Sequence, residues 1–485
     1  MGNRVSRRTV LIGVGVGAVA LAGGGYLALR NLPAGTAGFE QPRVLESSNG
    51  SLKVKLSAGK VSKSVNGKNV TMIGYNGSVP GPTLKVKPGD VIEVSLTNNL
   101  SKPTNLHTHG LFVSPSGNSD NPFVHVMPGE TFDYRFEIPT EQTEGTHWYH
   151  PHMHGEVASQ VFGGMYGAVI VEDANTPSAL DDRVLVISDS SFNDDGTLAS
   201  PNMMQLMMGR EGNFIFVNGQ IQPRGEFTYG GRERWRIINA CVARYLQLEV
   251  SGANTQLLGL DGRKLPTIGE AGTFVLAPGN RADLLVNPNT DSVSLNYTTV
   301  AHPDSMGMGM MNGTSQTFEN YPLFTLNKKP DNGKVQIIDY VLPTFPAEPD
   351  LRKSAVTGKR DMVLKMPMGM GGMSGGMAGQ FTINGEAFDM NKINTSVANN
   401  TVEEWSLVNK TTMQHPFHLH IWPMQIIDVG GVPVTDVRYQ DVVTIPVNST
   451  VTVRVNFRVH TGKTLYHCHI LDHEDLGMMG VIESA

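Results

Sequence analysis

The chain has 485 residues, of which 17% are charged, with 54 Gly, 28 Pro and a formal net charge of −6. At a pI near 6.2 it offers no basic surface for nucleic acid, and its two cysteines are too few for a disulfide framework. A turn-rich, Val/Thr-rich composition points to an all-β protein of many short strands, long enough for one to four domains around a large core.

Residues 1–37 read as a targeting segment. Ser6-Arg7-Arg8-Thr9-Val10-Leu11 has the form of a twin-arginine signal, and an apolar Gly/Ala-rich run follows over 10–29. Small residues at Ala34-Gly35-Thr36-Ala37 suit cleavage after Ala37. The alternative is an uncleaved anchor, because the run approaches the length of a membrane span. Export by the twin-arginine machinery, which handles folded proteins, would place the protein in the periplasm, at the cell envelope or outside the cell.

One strand pattern then occurs three times, as Gly89-Asp90-Val91-Ile92-Glu93-Val94-Ser95-Leu96-Thr97-Asn98, as Arg232-Glu233-Arg234-Trp235-Arg236-Ile237-Ile238-Asn239, and as Thr401-Val402-Glu403-Glu404-Trp405-Ser406-Leu407-Val408-Asn409. Each alternates apolar and polar residues and ends at Asn, as a half-buried strand should. A second pattern, a turn running into another alternating strand, follows each copy, beginning at Val126-Met127-Pro128-Gly129, Leu276-Ala277-Pro278-Gly279 and Ile445-Pro446-Val447-Asn448. Two motifs in one order, three times over, predict three homologous β-sandwich domains over 38–174, 175–330 and 331–485. Pro343, Pro346 and Pro349 mark a linker or surface loop.

The chemistry lies in the histidines. Of fifteen, many stand as His-x-His: His107/His109, His150/His152, His152/His154, His418/His420 and His467/His469. Chance would give roughly half a pair at this content, so accident does not explain five. In a strand this spacing aims both imidazoles at one face, where they can share a metal cluster. The last pair brackets Cys468. If the strand runs through Cys468, His467 and His469 face one way and the thiol the other. His473 and Met478 follow on a loop that can curl back to the thiol side. Cys, two His and a weak thioether form the ligand set of a blue electron-transfer copper site, and His415, standing apart from His418 and His420, supplies the second His.

The combination of His107-Thr-His109-Gly, His150-Pro-His152, His415-Pro-Phe-His418-Leu-His420 and His467-Cys-His469 with His473 and Met478 resembles the multicopper oxidases, from residue 50 to the C-terminus. The resemblance implies three tandem cupredoxin-like Greek-key β-sandwich domains and four copper ions. A type 1 copper would be held by His415, Cys468 and His473 with Met478 axial, and a type 2 copper by His107 and His418. A type 3 pair would use His109, His150, His152, His420, His467 and His469. The trinuclear cluster would lie between domains one and three, with domain two a spacer and scaffold, and electrons would pass through Cys468 to its flanking histidines. Reduction of O2 to water consumes protons. The family pattern offers Asp120 (with Asn118 a competitor in a loop of different length) and Glu474 as the carboxylates that deliver them. His147 and His154 read as supporting residues, His125, His302 and His460 as ordinary surface or core residues, and Cys241 as a buried core thiol.

The 24 methionines cluster at 203–208, 306–311 and 366–377. A core helix can explain the first; the Gly-rich pair cannot be core helices, and flexible thioether loops suit soft Cu(I). The third precedes Gln380-Phe-Thr-Ile-Asn384-Gly385-Glu-Ala-Phe388-Asp389, which looks like the copper-efflux, cuprous-oxidising branch of the family. In that branch Met413 and Met366 match substrate-copper ligands. Thr411 stands where one acid is expected, and no acid lies between Met362 and Gln380. The expected activity is therefore an exported, monomeric oxidase taking electrons from Cu(I) for O2, in copper tolerance. A laccase-like oxidase of phenols or aromatic amines is the alternative. A non-catalytic copper scaffold fits less well, since it would not need Cys468 and all ten histidines.

Overall fold

A computed structural model describes residues 38–172, 180–228, 230–300, 318–330, 348–367 and 380–485. The targeting segment, His302, Pro343 and Pro346, and the methionines of 306–311 and 368–377 lie outside the described residues, as does the chain on at least one side of each expected domain boundary.

Alternating residues form strands throughout, and their pairing sorts them into six sheets, two from each successive third of the chain. In the first third, the sheet ending in Gly145–His150 and His107–His109 faces the sheet Lys68–Tyr75, Ser51–Val65, Val91–Asn98, Thr131–Glu137. Leu52, Val54 and Leu56 of one meet Leu84, Val169 and Val171 of the other in a shared core. The last third repeats this, with Trp405, Leu407 and Val453 packing against Phe417, Tyr466 and Ile482. The architecture is thus all-β, three two-sheet sandwiches in succession along the chain.

The three copies of the strand pattern are wired alike. Val91–Asn98 runs parallel to Ser51–Val65 and antiparallel to Thr131–Glu137. Glu233–Asn239 holds the same place between Asp181–Ser190 and Arg281–Pro288, and Thr401–Asn409 between Gly358–Lys365 and Thr450–Phe457. The terminal Asn explains why each copy ends as it does. Asn98 accepts from Leu100 N–H at 2.9 Å and donates to the carbonyls of Lys102 and Val126 at 2.9 and 2.8 Å. Asn239 repeats this with Cys241 N–H, Arg244 O and Leu276 O, and Asn409 with Thr411 N–H, Met413 O and Ile445 O. A side chain that both donates and accepts closes the bend after the strand and ties it to the next motif.

The middle copy departs from the half-buried expectation: every residue of Glu233–Asn239 is buried. Its polar face is covered by the strand Gly145–His150 of the first third. Arg234 meets Asp283 at 2.7 Å, Arg236 meets Asp182 at 2.7 Å, and Glu233 takes Arg183 and the Trp235 indole N–H at 2.7 Å each. Paired charges make full burial tolerable. An apolar cluster crosses the same boundary, joining Val61, Val65 and Met72 to Val184, Phe216 and Ile238, with Leu471 from the C-terminal end. The described residues accordingly pack as one unit. Cys241 is buried in it, 1% exposed, as expected.

Asn239→Ala would strand Cys241 N–H and two buried carbonyls. At about 1–3 kcal/mol per group left unpaired, thermal unfolding of the variant is expected at a clearly lower midpoint than wild type. An unchanged midpoint would show that the bend does not depend on the Asn.

Candidate metal centre

Two short ribbons build the site. His107–His109 pairs antiparallel with Gly145–His150, placing His107 opposite His150. His415–Leu419 pairs with Gly462–Cys468, placing His418 opposite His467 and Phe417 opposite Cys468. The first ribbon comes from the first third of the chain and the second from the last, and their histidines interleave. The Nε2 atoms of His152, His420 and His467 lie 3.1, 3.2 and 3.2 Å from one another. His469 Nε2 lies 3.3 Å from His109 Nδ1, and with His150 these form a second trio. His107 and His418, with His109, form a third group.

The ring nitrogens facing inward carry lone pairs. His107 Nδ1 sits 3.0 Å from both Asp120 carboxylate oxygens, His150 Nδ1 2.9 Å from Pro151 O, His418 Nδ1 2.7 Å from Asp441 O, and His467 Nδ1 3.0 Å from Cys468 O. Each oxygen accepts, so each Nδ1 holds the proton and Nε2 is left bare. Nε2 of His107, His150 and His418 is buried without a partner. Burial, reinforced by neighbouring imidazoles, pushes His107, His109, His150, His420 and His469 well below the ordinary imidazole range. His152 and His467 fall to about 4 and His418 to about 3. Neutral, bare and crowded within hydrogen-bond distance, these nitrogens fit a set of cations and little else, since orphaned buried acceptors are otherwise costly.

On the other side of the same strand, Cys468 Sγ lies 3.4 Å from His415 Nδ1 and 3.8 Å from His473 Nδ1. Both far nitrogens are engaged: His415 Nε2 with Thr411 Oγ1 at 2.8 Å, and His473 Nε2 with Met207 O at 3.0 Å. That leaves each Nδ1 bare toward the sulfur. Met478 brackets the loop, its N–H donating to His473 O at 2.8 Å and its carbonyl accepting from Cys468 N–H at 3.0 Å, and its side chain shares the core with Cys468. Phe381 stacks on His473 at 4.4 Å. Burial pushes the Cys468 thiol up, so a bound cation is what would hold it as thiolate.

Of the two positions that compete for the acid near His107, Asp120 faces the imidazole, while the Asn118 amide donates to Asp133 O. Glu474 is wholly buried between His467 Nδ1 at 3.0 Å and His152 Nε2 at 3.4 Å. Burial raises both acids to about 7, partly offset by the Thr108 N–H for Asp120 and by His152 for Glu474. Met413 is buried in the core around Cys468 and Met366 packs against it. Thr411, the departure from the cuprous branch, serves instead as the partner of His415. His147 is buried and His154 exposed against Phe388. His125 is exposed, and His460 bonds Phe112 O.

One expectation needs correction. Met203–Met208 is helical but is no core helix, since none of its residues is buried. Its segment is pinned to the His473 helix, Leu471–Asp475, by a buried Arg210–Asp472 ion pair at 2.6 Å, which leaves the methionines on the surface beside His473. The middle third also reaches the site. Met207 reaches His473, and Arg281 grips Asp441 with two bonds of 2.7 and 2.6 Å. Sequence reading missed Asp441 and Arg281, and the parts that Thr411 and Met207 play. Only Gly110, beside His109, hinted at close packing there.

Known proteins place this arrangement. Two family profiles described as multicopper oxidase match residues 57–176 and 362–485, the stretches that carry the two ribbons. The multicopper oxidase mco of Staphylococcus aureus is 30% identical over 432 residues, covering 85% of this chain and 83% of that one. A laccase of Bacillus stratosphericus is 26% identical, covering 84% and 89%. The solved structure of a multicopper oxidase from Campylobacter jejuni, described as a metallo-oxidase, is 29% identical with a TM-score of 0.81, covering 94% of this chain and 96% of that one. With its three cupredoxin-like sandwiches and its buried histidine groups, this chain belongs to the multicopper oxidases, enzymes that hold copper and oxidise a reducing substrate with O2.

Proposed function

We propose that the enzyme is an exported cuprous oxidase, taking one electron at a time from Cu(I) and serving copper tolerance in the cell envelope. Four coppers are assigned: a type 1 ion at His415, Cys468, His473 and Met478, a type 2 ion at His107 and His418, and a type 3 pair at His109, His150, His152, His420, His467 and His469. Copper bound there would supply the one-electron steps that join the donor to the four-electron reduction of O2 to water. The chain's own part is to seat the donor, to connect the two sites and to hold protons. Cys468 lies between His467 and His469 in sequence, so a short covalent path joins the two sides of one strand. Glu474, enclosed between His152 and His467, and Asp120 on His107 are the assigned proton carriers. The sandwiches correspond to domains 38–174, 175–330 and 331–485 of a monomer exported by the twin-arginine route.

One observation carries the cuprous reading. His473 has no exposed surface. Its outer nitrogen is bonded to Met207 O, within a helix bearing four methionines, none of them fully buried. A planar phenol has no open imidazole edge to approach, whereas thioethers on that cover suit a small soft cation. The laccase-like reading draws on the Bacillus relative's name and is separated from the first by substrate choice. Replacing Met203, Met204, Met207 and Met208 by Leu keeps the apolar volume and the Met207 carbonyl but removes four sulfurs. Oxygen uptake with Cu(I) is expected to fall about tenfold, roughly 1.4 kcal/mol in transition-state terms, with phenol oxidation little changed. Equal losses would favour the laccase-like reading.

Glu474→Gln should slow oxygen reduction by about a hundredfold or more while a donor still bleaches the blue colour at the normal rate. Normal steady-state turnover would remove the proton role. Thr411→Val leaves the His415 Nε2–H without its acceptor. Chelator competition followed by the blue absorbance is expected to show copper held roughly 10–100-fold more weakly at the Cys468 site.

A further inference from the structure

The middle pair of sheets contributes none of the clustered ligands among the described residues, yet one of its side chains reaches the histidine cluster. Arg281, the first residue of the strand Arg281–Pro288, is completely buried. Its guanidinium donates to both Asp441 carboxylate oxygens, to Gly279 O at 3.0 Å and to Thr146 O at 3.3 Å. Its backbone N–H donates to Asp261 Oδ1 at 3.0 Å. Asp441 in turn touches two cluster histidines at once. Its Oδ1 lies 3.2 Å from His109 Nε2, and its backbone carbonyl accepts from His418 Nδ1 at 2.7 Å. A carboxylate only accepts, so His109 carries its proton on Nε2 and turns a bare Nδ1 toward His469 and His150. His109 is thereby the exception among the cluster imidazoles whose tautomer is set by an oxygen, because those of His107, His150, His418 and His467 are fixed through Nδ1.

The backbone is cut to admit this arrangement. Gly110 follows His109 with φ +90, and a Cβ there would run into the Arg281 guanidinium and lie 2.7 Å from Asp441 Oδ2. Gly279, with φ +87, lies against His469, where a Cβ would come within 2.8 Å of Nε2. One turn of the middle third thus supplies both the guanidinium behind His109 and the backbone that packs on His469.

We propose that Arg281 is a positioning residue for the histidine cluster, holding the Asp441 carboxylate so that His109 presents Nδ1, and His418 presents Nε2, to bound metal. The middle third is then a working part of the oxygen-reducing site, although none of its described residues is among the clustered ligands. Arginine suits the role because its planar fork grips both carboxylate oxygens, which lysine cannot do.

The test uses the full chain loaded with copper. Arg281→Lys keeps the charge and loses the two-point grip; Asp441→Asn loses the carboxylate. Each variant is read by copper per chain under chelator competition and by blue absorbance per chain. The expected result is cluster copper held roughly 10–100-fold more weakly, with the blue absorbance of the Cys468 site unchanged. The double variant should be no worse than the weaker single one. Wild-type copper retention in Arg281→Lys overturns the proposal. So does a blue absorbance that falls in step with total copper, which would mark a general loss of fold. If Arg281→Lys does not fold, Asp441→Asn decides the matter by the same two readings.

Discussion

The metal centre depends on one geometric constraint, the opposed direction of neighbouring side chains along the strand Gly462–Cys468. A slip of one residue would exchange the sulfur for the imidazoles and ruin both sites together. The strand is accordingly locked on both edges, by His415–Leu419 on one side and Met479–Ser484 on the other. Just beyond it the chain is fastened again. Asp472 is held by Arg210, and Asp475 accepts from Gly155 N–H at 2.7 Å and Ala158 N–H at 2.9 Å. The second fastening caps the helix Val157–Gly163, whose own N-terminal residue makes no side-chain cap.

Ten buried imidazoles and a buried thiol are an expensive interior when empty. Seven of them, His107, His109, His150, His415, His418, His467 and His473, have one nitrogen secured by an oxygen of Asp120, Asp441, Pro151, Thr411, Cys468 or Met207, so their lone pairs are aimed before any cation arrives. The same oxygens leave inward nitrogens with no partner in the protein. Binding energy for metal and stability of the folded chain are consequently linked through these atoms.

What was legible in the sequence was whatever repeats at short range. The His-x-His spacing reads directly as one face of a strand, and the thrice-repeated strand ending at Asn reads as three sandwiches. The opposed directions of Cys468 and its two flanking imidazoles also follow from a period of two. The supporting groups left no such trace. Met207 meets His473 across 266 positions and Asp441 meets His109 across 332, and nothing local distinguishes that Asp or that Met from others. The strand Glu233–Asn239 looked half-exposed because its arginines looked solvated. Their carboxylate partners, Asp182 and Asp283, come from strands remote in sequence.

The long reach of these contacts also bears on how the protein comes into being. His469 meets His109 across 360 positions and His420 meets His152 across 268. Such non-local closure is the slow part of folding, because loop entropy must be lost before any contact repays it. Among the described residues, every cluster of converging ligands includes one from 415–473, near the end of the chain. Metal binding at these clusters therefore depends on the end of the chain, and a chain truncated before residue 415 would retain most of the described strands and none of these clusters.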